Sequence, residues 1–153
     1  MLLAEKFGAA RLKGMHENLK KFALSFGITD MQLRDRSPNT RRALAIAELA
    51  RDEGKLDAFR DLAMDAHWRR GMDLESDDDL KSIAKEAGLD PQKAILAADD
   101  ETYLDRIDER RREANARGVT GIPTFVMGNQ GLVGCQPYEV LEEFAAACGA
   151  KKR

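Results

Sequence analysis

The sequence predicts a helix-rich α/β chain in which a run of amphipathic helices is followed by one β-hairpin and a closing helix. Three observations predict it. Apolar residues recur at three- and four-residue steps through most of the chain as far as Arg117, capping residues, Gly and Pro punctuate these stripes, and only beyond Gly118 does the period become that of strands. Composition agrees, since 34% of residues are charged and only 6% aromatic, with Ala, Leu, Arg, Asp and Glu abundant, a balance that favours helix over sheet.

Each element has its own signal. From Ala9 to Phe26, Leu12, Met15, Leu19, Phe22, Ala23 and Phe26 gather on one helical face, and Gly27 stops the helix. Residues Ile28 to Leu33 alternate weakly and predict one short strand. Ser37-Pro38-Asn39-Thr40 combines a fixed φ with N-cap chemistry, so a helix is expected from about Thr40 to Glu53 with Leu44, Ala47 and Ala50 facing inward. A further helix starts near Lys55, carries Leu56, Phe59, Leu62, Ala63 and Ala66, and fades at Arg69, Arg70 and Gly71. Ser76 caps the next, with Asp79 three residues on, and Gly88 ends it. Asp90 caps a helix with Pro91 in its first position, where a missing N–H costs nothing. Glu101 to Arg117 follows. Thr124–Met127 and Leu132–Gly134 then flank a turn at Gly128-Asn129-Gln130-Gly131. A last helix opens at Pro137, turns Val140, Leu141, Phe144, Ala145 and Cys148 inward and stops at Gly149, leaving a frayed basic tail from Lys151 to Arg153.

A chain of 153 residues is the size of one ordinary domain, so a single unit is expected over 1–153. Its formal charge of -2 carries no basic footprint of the kind that binds phosphate backbones, and no nucleic-acid partner is expected. Met1 to Gly8 is too short an apolar run for a signal peptide and no later run reaches membrane-spanning length, so a cytoplasmic protein without a membrane partner is expected. Two cysteines, Cys135 and Cys148, and two distant histidines supply no zinc-ligand spacing, and no metal is expected.

The informative stretch is Gly118-Val119-Thr120-Gly121-Ile122-Pro123-Thr124-Phe125-Val126-Met127, followed across the turn by Gly134-Cys135-Gln136-Pro137 and an amphipathic helix. It resembles the second half of a thioredoxin fold in proteins of the DsbA family. The preceding helices, with Ser37-Pro38-Asn39-Thr40 and His67-Trp68 through Gly71-Met72-Asp73-Leu74, resemble the helical insertion of the FrnE-like and 2-hydroxychromene-2-carboxylate isomerase-like branch. The resemblance implies an incomplete α/β thioredoxin-like fold, with a helical insertion over 9–117 and the C-terminal half of the fold, including a cis-proline loop, over 118–149. Pro123 is then the expected cis residue, a geometry that an X-Pro bond reaches at a cost of only about 0.5–1 kcal/mol. Thr120, Gly121, Ile122 and Pro123 become the expected substrate-binding residues, Ile122 offering its backbone to an extended peptide or to glutathione.

In that family a strand, an active-site helix and a second strand come first, and the helix begins with Cys-x-x-Cys in oxidoreductases or a Ser-bearing variant in glutathione-dependent isomerases. Met1 to Gly8 cannot hold a βαβ unit, which needs roughly 30 or more residues. The chain is therefore expected to be a truncated form, one with a mis-assigned start, or a natural remnant. No catalytic residue is assigned and no cofactor is expected, glutathione being at most a co-substrate. The functions that follow are a thiol–disulfide oxidoreductase or isomerase that is redox-inactive by itself, a glutathione-dependent isomerase, or a non-enzymatic binding module that dimerises through an exposed hairpin edge.

Other candidates carry less. Cys135 and Cys148 stand 13 positions apart and cannot replace a dithiol two residues apart. Cys135 precedes the last helix, where partial positive charge would activate a thiol, but it reads more simply as a small residue at a strand end, and Cys148 as core. His67 has neither a nucleophile nor an orienting acid assigned to it, and His16 lies on the polar side of its helix. Asp77, Asp78 and Asp79 suit the positive end of a helix. Trp68, Met64 and Met72 either line a pocket or pack.

Overall fold

The computed structural model describes residues 2–151 as eight helices and two strands among those residues. Contacts divide the chain into a first unit that ends at Asp108 and a second that begins at Glu109. The division falls inside a helix.

The first unit is helical. Helices α1 (Leu3–Phe7) and α2 (Ala9–Ser25) pack on each other, and α3 (Arg41–Asp52), α4 (Leu56–Trp68), α5 (Asp77–Glu86) and α6 (Pro91–Ala98) form a bundle in which α6 packs on both α3 and α5. Phe59, Ile46, Leu80 and Ile83 are its largest fully buried side chains, and Ala45, Ala50, Ala66, Ala84, Ala94 and Ala98 have no exposed surface. Alanine combines the best helix propensity with a side chain short enough for close helix approach, so the bundle needs few large residues. Ion pairs tie its rim. Arg42 bridges Asp99 and Asp77 at 2.9 and 2.6 Å, Arg41 meets Asp108 through its two terminal guanidinium nitrogens at 2.6 and 2.8 Å, and Arg106 reaches Asp52 at 2.7 Å.

Two of the predicted caps act as expected, whereas Thr40, at the start of α3, makes no side-chain cap bond. Ser76 accepts the N–H of Asp79, and Asp90 accepts those of Gln92 at 2.8 Å and Lys93 at 3.0 Å. These bonds, that from Lys93 foremost, hold the Asp90 carboxyl below its ordinary pKa of 3.8. The carboxylate of Asp79 turns to the N–H of Asp73 at 2.6 Å rather than back to its own cap.

Three expectations are corrected in this unit. Residues Ile28 to Leu33 form no strand; they run as irregular backbone, with Gln32 N–H donating to the Trp68 carbonyl at 2.6 Å. A lone strand has no ladder partner, so weak alternation does not suffice to make one. Leu44 is exposed, because the bundle covers the face of Ala43, Ile46, Leu49 and Ala50 instead. Met15 and Phe22 of α2, and Phe26 at its C-cap, stay exposed although Leu12 and Ala23 of the same stripe are buried. Helix α1 and an isolated bridge between Leu2 and Arg36 were not foreseen.

Helix α7 (Glu101–Ala116) runs across the division between the units. The second unit goes on with β1 (Thr124–Met127), β2 (Gln130–Val133) and α8 (Tyr138–Ala147). The strands pair antiparallel, Thr124 with Val133 and Phe125 with Leu132. The turn is shorter than expected, only Gly128-Asn129, with Gly128 at φ 59° and Asn129 at negative φ. This is the pattern of a type II′ hairpin, which requires Gly first and matches the natural twist of the strands. No described residue of this unit is buried, and Val140 and Cys148, expected inside, are exposed and half-buried. Two strands and a helix offer too little surface to close a core. Lys152 and Arg153 of the expected basic tail lie outside the described residues.

Two predictions follow from the packing. Phe59, 1% exposed, should cost about 3–5 kcal/mol when changed to Ala, whereas Leu96→Ala, at a site 74% exposed, should change stability by less than about 0.5 kcal/mol; urea midpoints of the two variants check both. The Asp90 cap contributes stability above the carboxyl's unfolded pKa of 3.8 and loses it as pH falls through the lower folded value. Asp90→Ala should thus lower the melting temperature at pH 7 and narrow its gap to wild type below pH 3, as read by calorimetry across that range.

Candidate functional site

The site is built where α7 ends. Gly118, at φ 72°, adopts the left-handed conformation that Gly reaches without a Cβ penalty. Its N–H bonds the Asn115 carbonyl at 2.9 Å, and Val119 N–H bonds that of Ala114 at 3.0 Å. This pair of bonds is a Schellman ending, which turns the chain sharply out of the helix and into the loop.

Thr120, Gly121, Ile122 and Pro123 follow, and the Ile122–Pro123 peptide bond is cis. Two bonds fix the loop on the hairpin. Thr124 Oγ1 donates to the Gly121 carbonyl at 2.6 Å, and Gly134 N–H donates to the Pro123 carbonyl at 2.8 Å. A Cβ on Gly121 would stand 3.4 Å from Val133 Cγ1, so the loop lies close over β2 at a point that suits a residue without a side chain.

The Pro123–Gly134 bond continues the ladder of the hairpin by one step. In an antiparallel pair the bonded positions alternate, so Ile122, Thr124 and Val126 direct their backbone groups to the outer edge of β1. The sheet order is β1-β2, and that edge has no strand against it among the described residues. Ile122 is 93% exposed, and no described residue bonds its N–H or C=O. Arg117, Val119, Thr124, Val126 and Val133 line an open concavity of about 500 Å³ alongside. The arrangement offers an extended ligand a row of backbone donors and acceptors, with apolar side chains for its alternate residues.

The structure brings the four predicted residues together on one loop. Cys135, exposed, lies between β2 and α8, and Cys148, half-buried, caps the end of α8; both thiols are free. Asp77 is engaged by Arg42 at 2.6 Å. His67 and Trp68 end α4 and belong to the helical unit, their rings edge to face at 4.7 Å between centroids. Burial, then the charge of Arg34, pushes the His67 pKa below 6.5. Met64 is exposed, Met72 packs on the helical core, and His16, read as solvated, is half-buried. No helix among the described residues is long and apolar enough to cross a membrane.

A family model for a DSBA-like thioredoxin domain matches residues 3–146. No curated protein matches the chain. Among solved structures, it is similar to the crystal structure of a probable DsbA oxidoreductase from Streptomyces coelicolor, with 27% identity and a TM-score of 0.80 over 99% of this chain and 67% of that one. With 144 of its residues, 3 to 146, spanned by the family model, the chain belongs to the DSBA-like thioredoxin-domain family.

Proposed function

We propose that this chain supplies the substrate-holding part of a DsbA-like thiol–disulfide oxidoreductase of the FrnE-like branch, and that Thr120, Gly121, Ile122 and Pro123 seat an extended, cysteine-bearing peptide along the outer edge of β1. The supporting observation is the unpartnered backbone of Ile122 beside the open edge of β1. Electron transfer needs an activated thiolate with a resolving thiol near it. The free Cys135 and Cys148 are 13 positions apart in the sequence, so the chain by itself is redox-inactive. Two free thiols also suit a protein of the cytoplasm.

Glutathione is a smaller occupant for the same loop, and it would place the chain with the glutathione-dependent isomerases. A second reading, a homodimer paired through hairpins, is favoured by the exposure of Phe125, Val126 and Val133 on these strands.

An insulin-reduction assay with dithiothreitol should show no turnover above that of Pro123→Ala. Fluorescence anisotropy with carboxymethylated insulin B chain should show saturable binding, weakened about 10-fold or more when alternate peptide nitrogens are methylated and cannot pair with a strand edge. Binding indifferent to methylation would remove strand pairing from the proposal, and competition by S-hexylglutathione alone would favour the isomerase. For the dimer, sedimentation should give twice the chain mass at micromolar concentration, and a stable monomer there would exclude it.

A further inference from the structure

A second concave surface lies wholly within the helical unit. Leu12, Met15, Leu19 and Phe22 of α2 form one wall, the irregular segment around Arg34 to Pro38 and the end of α4 at His67 and Trp68 form the other, and the groove between them measures about 580 Å³. That size suits a small organic ligand.

Its charge is unlike that of the chain. The protein carries 27 acidic residues against 25 basic ones, yet no Asp or Glu lines this groove, whereas Arg34, Arg36, His16 and His67 do. Arg36 is committed to Glu75 and to Asp73. Arg34 has no carboxylate partner among the described residues, so its charge is left to the groove.

The third observation concerns His67. Its Nδ1 is the one buried side-chain nitrogen or oxygen among the described residues without a hydrogen-bond partner. Such atoms are rare, because a buried polar group without a partner costs about 1–3 kcal/mol. That atom is closed off from the groove, and burial, then Arg34, favours the neutral ring, so His67 adds an uncharged ring to the wall and leaves the charge to Arg34.

We propose that this groove binds an amphipathic monocarboxylate, with the carboxylate on the Arg34 guanidinium and the apolar body along Leu12, Met15, Leu19 and Phe22. A guanidinium answers a carboxylate through paired N–H donors, and the exposed Met15 and Phe22 gain the cover that the fold does not give them. An alcohol of the same length would leave the charge of Arg34 unanswered, and an amine would meet repulsion.

Calorimetric titration with octanoate, octan-1-ol and octylamine tests this on the whole chain. Octanoate should bind at one site at least about 10-fold more tightly than the other two, Arg34→Gln should abolish that preference, and Met15→Glu should weaken octanoate binding, with circular dichroism melts showing both variants folded. Equal binding of octanoate and octan-1-ol, or an Arg34→Gln variant that keeps the preference, would overturn the proposal. A dimer that Met15→Glu turns into a monomer, with no octanoate bound to the wild type, would overturn it in favour of a second copy of the chain in the groove. None of these results bears on peptide binding at the hairpin, which the B-chain measurement tests separately.

Discussion

The antiparallel pairing of β1 with β2, carried one step further by Gly134 N–H on the Pro123 carbonyl, is the constraint on which the candidate site depends. That bond holds the loop in line with the strand, and Thr124 Oγ1 on the Gly121 carbonyl holds it from the other side. Alternation along the ladder then decides which backbone groups face out. The Schellman ending at Gly118 delivers the chain to this point. A displaced turn would move the whole row, because a slip of one residue exchanges the two faces of a strand.

The two units are stabilised in different ways. In the helical one, alanine-lined helices bury Phe59, Ile46, Leu80 and Ile83, and paired Arg and Asp side chains close the rim. In the other, local hydrogen bonds and turn chemistry maintain the shape while the side chains of Phe125, Val126 and Val133 remain in water. Exposed apolar strands with a free edge are what a partner strand or peptide can use, so incomplete burial and the proposed binding have one physical origin.

The loop was legible because its chemistry is local. Gly118 marks a left-handed position, Pro123 an X-Pro bond and Gly128 a hairpin turn, each from its own backbone preference. The groove at Arg34 and His67 was not. His16 and His67 are 51 positions apart, and the segment opposite α2 has irregular backbone that no periodicity marks. The exposure of Met15 and Phe22, beside the buried Leu12 and Ala23 of the same stripe, shows that α2 is left partly uncovered.

By itself the sequence determined the caps at Ser76 and Asp90, most helix ends, the order of elements from α3 onward and the family resemblance, because each rests on neighbours a few residues apart. The tertiary structure decided the rest. It turned Leu44 outward, denied Ile28 to Leu33 a strand and left Arg34 without a carboxylate partner among the described residues. All three depend on which distant surfaces meet, and a stripe of apolar residues states that a face can be buried without stating against what.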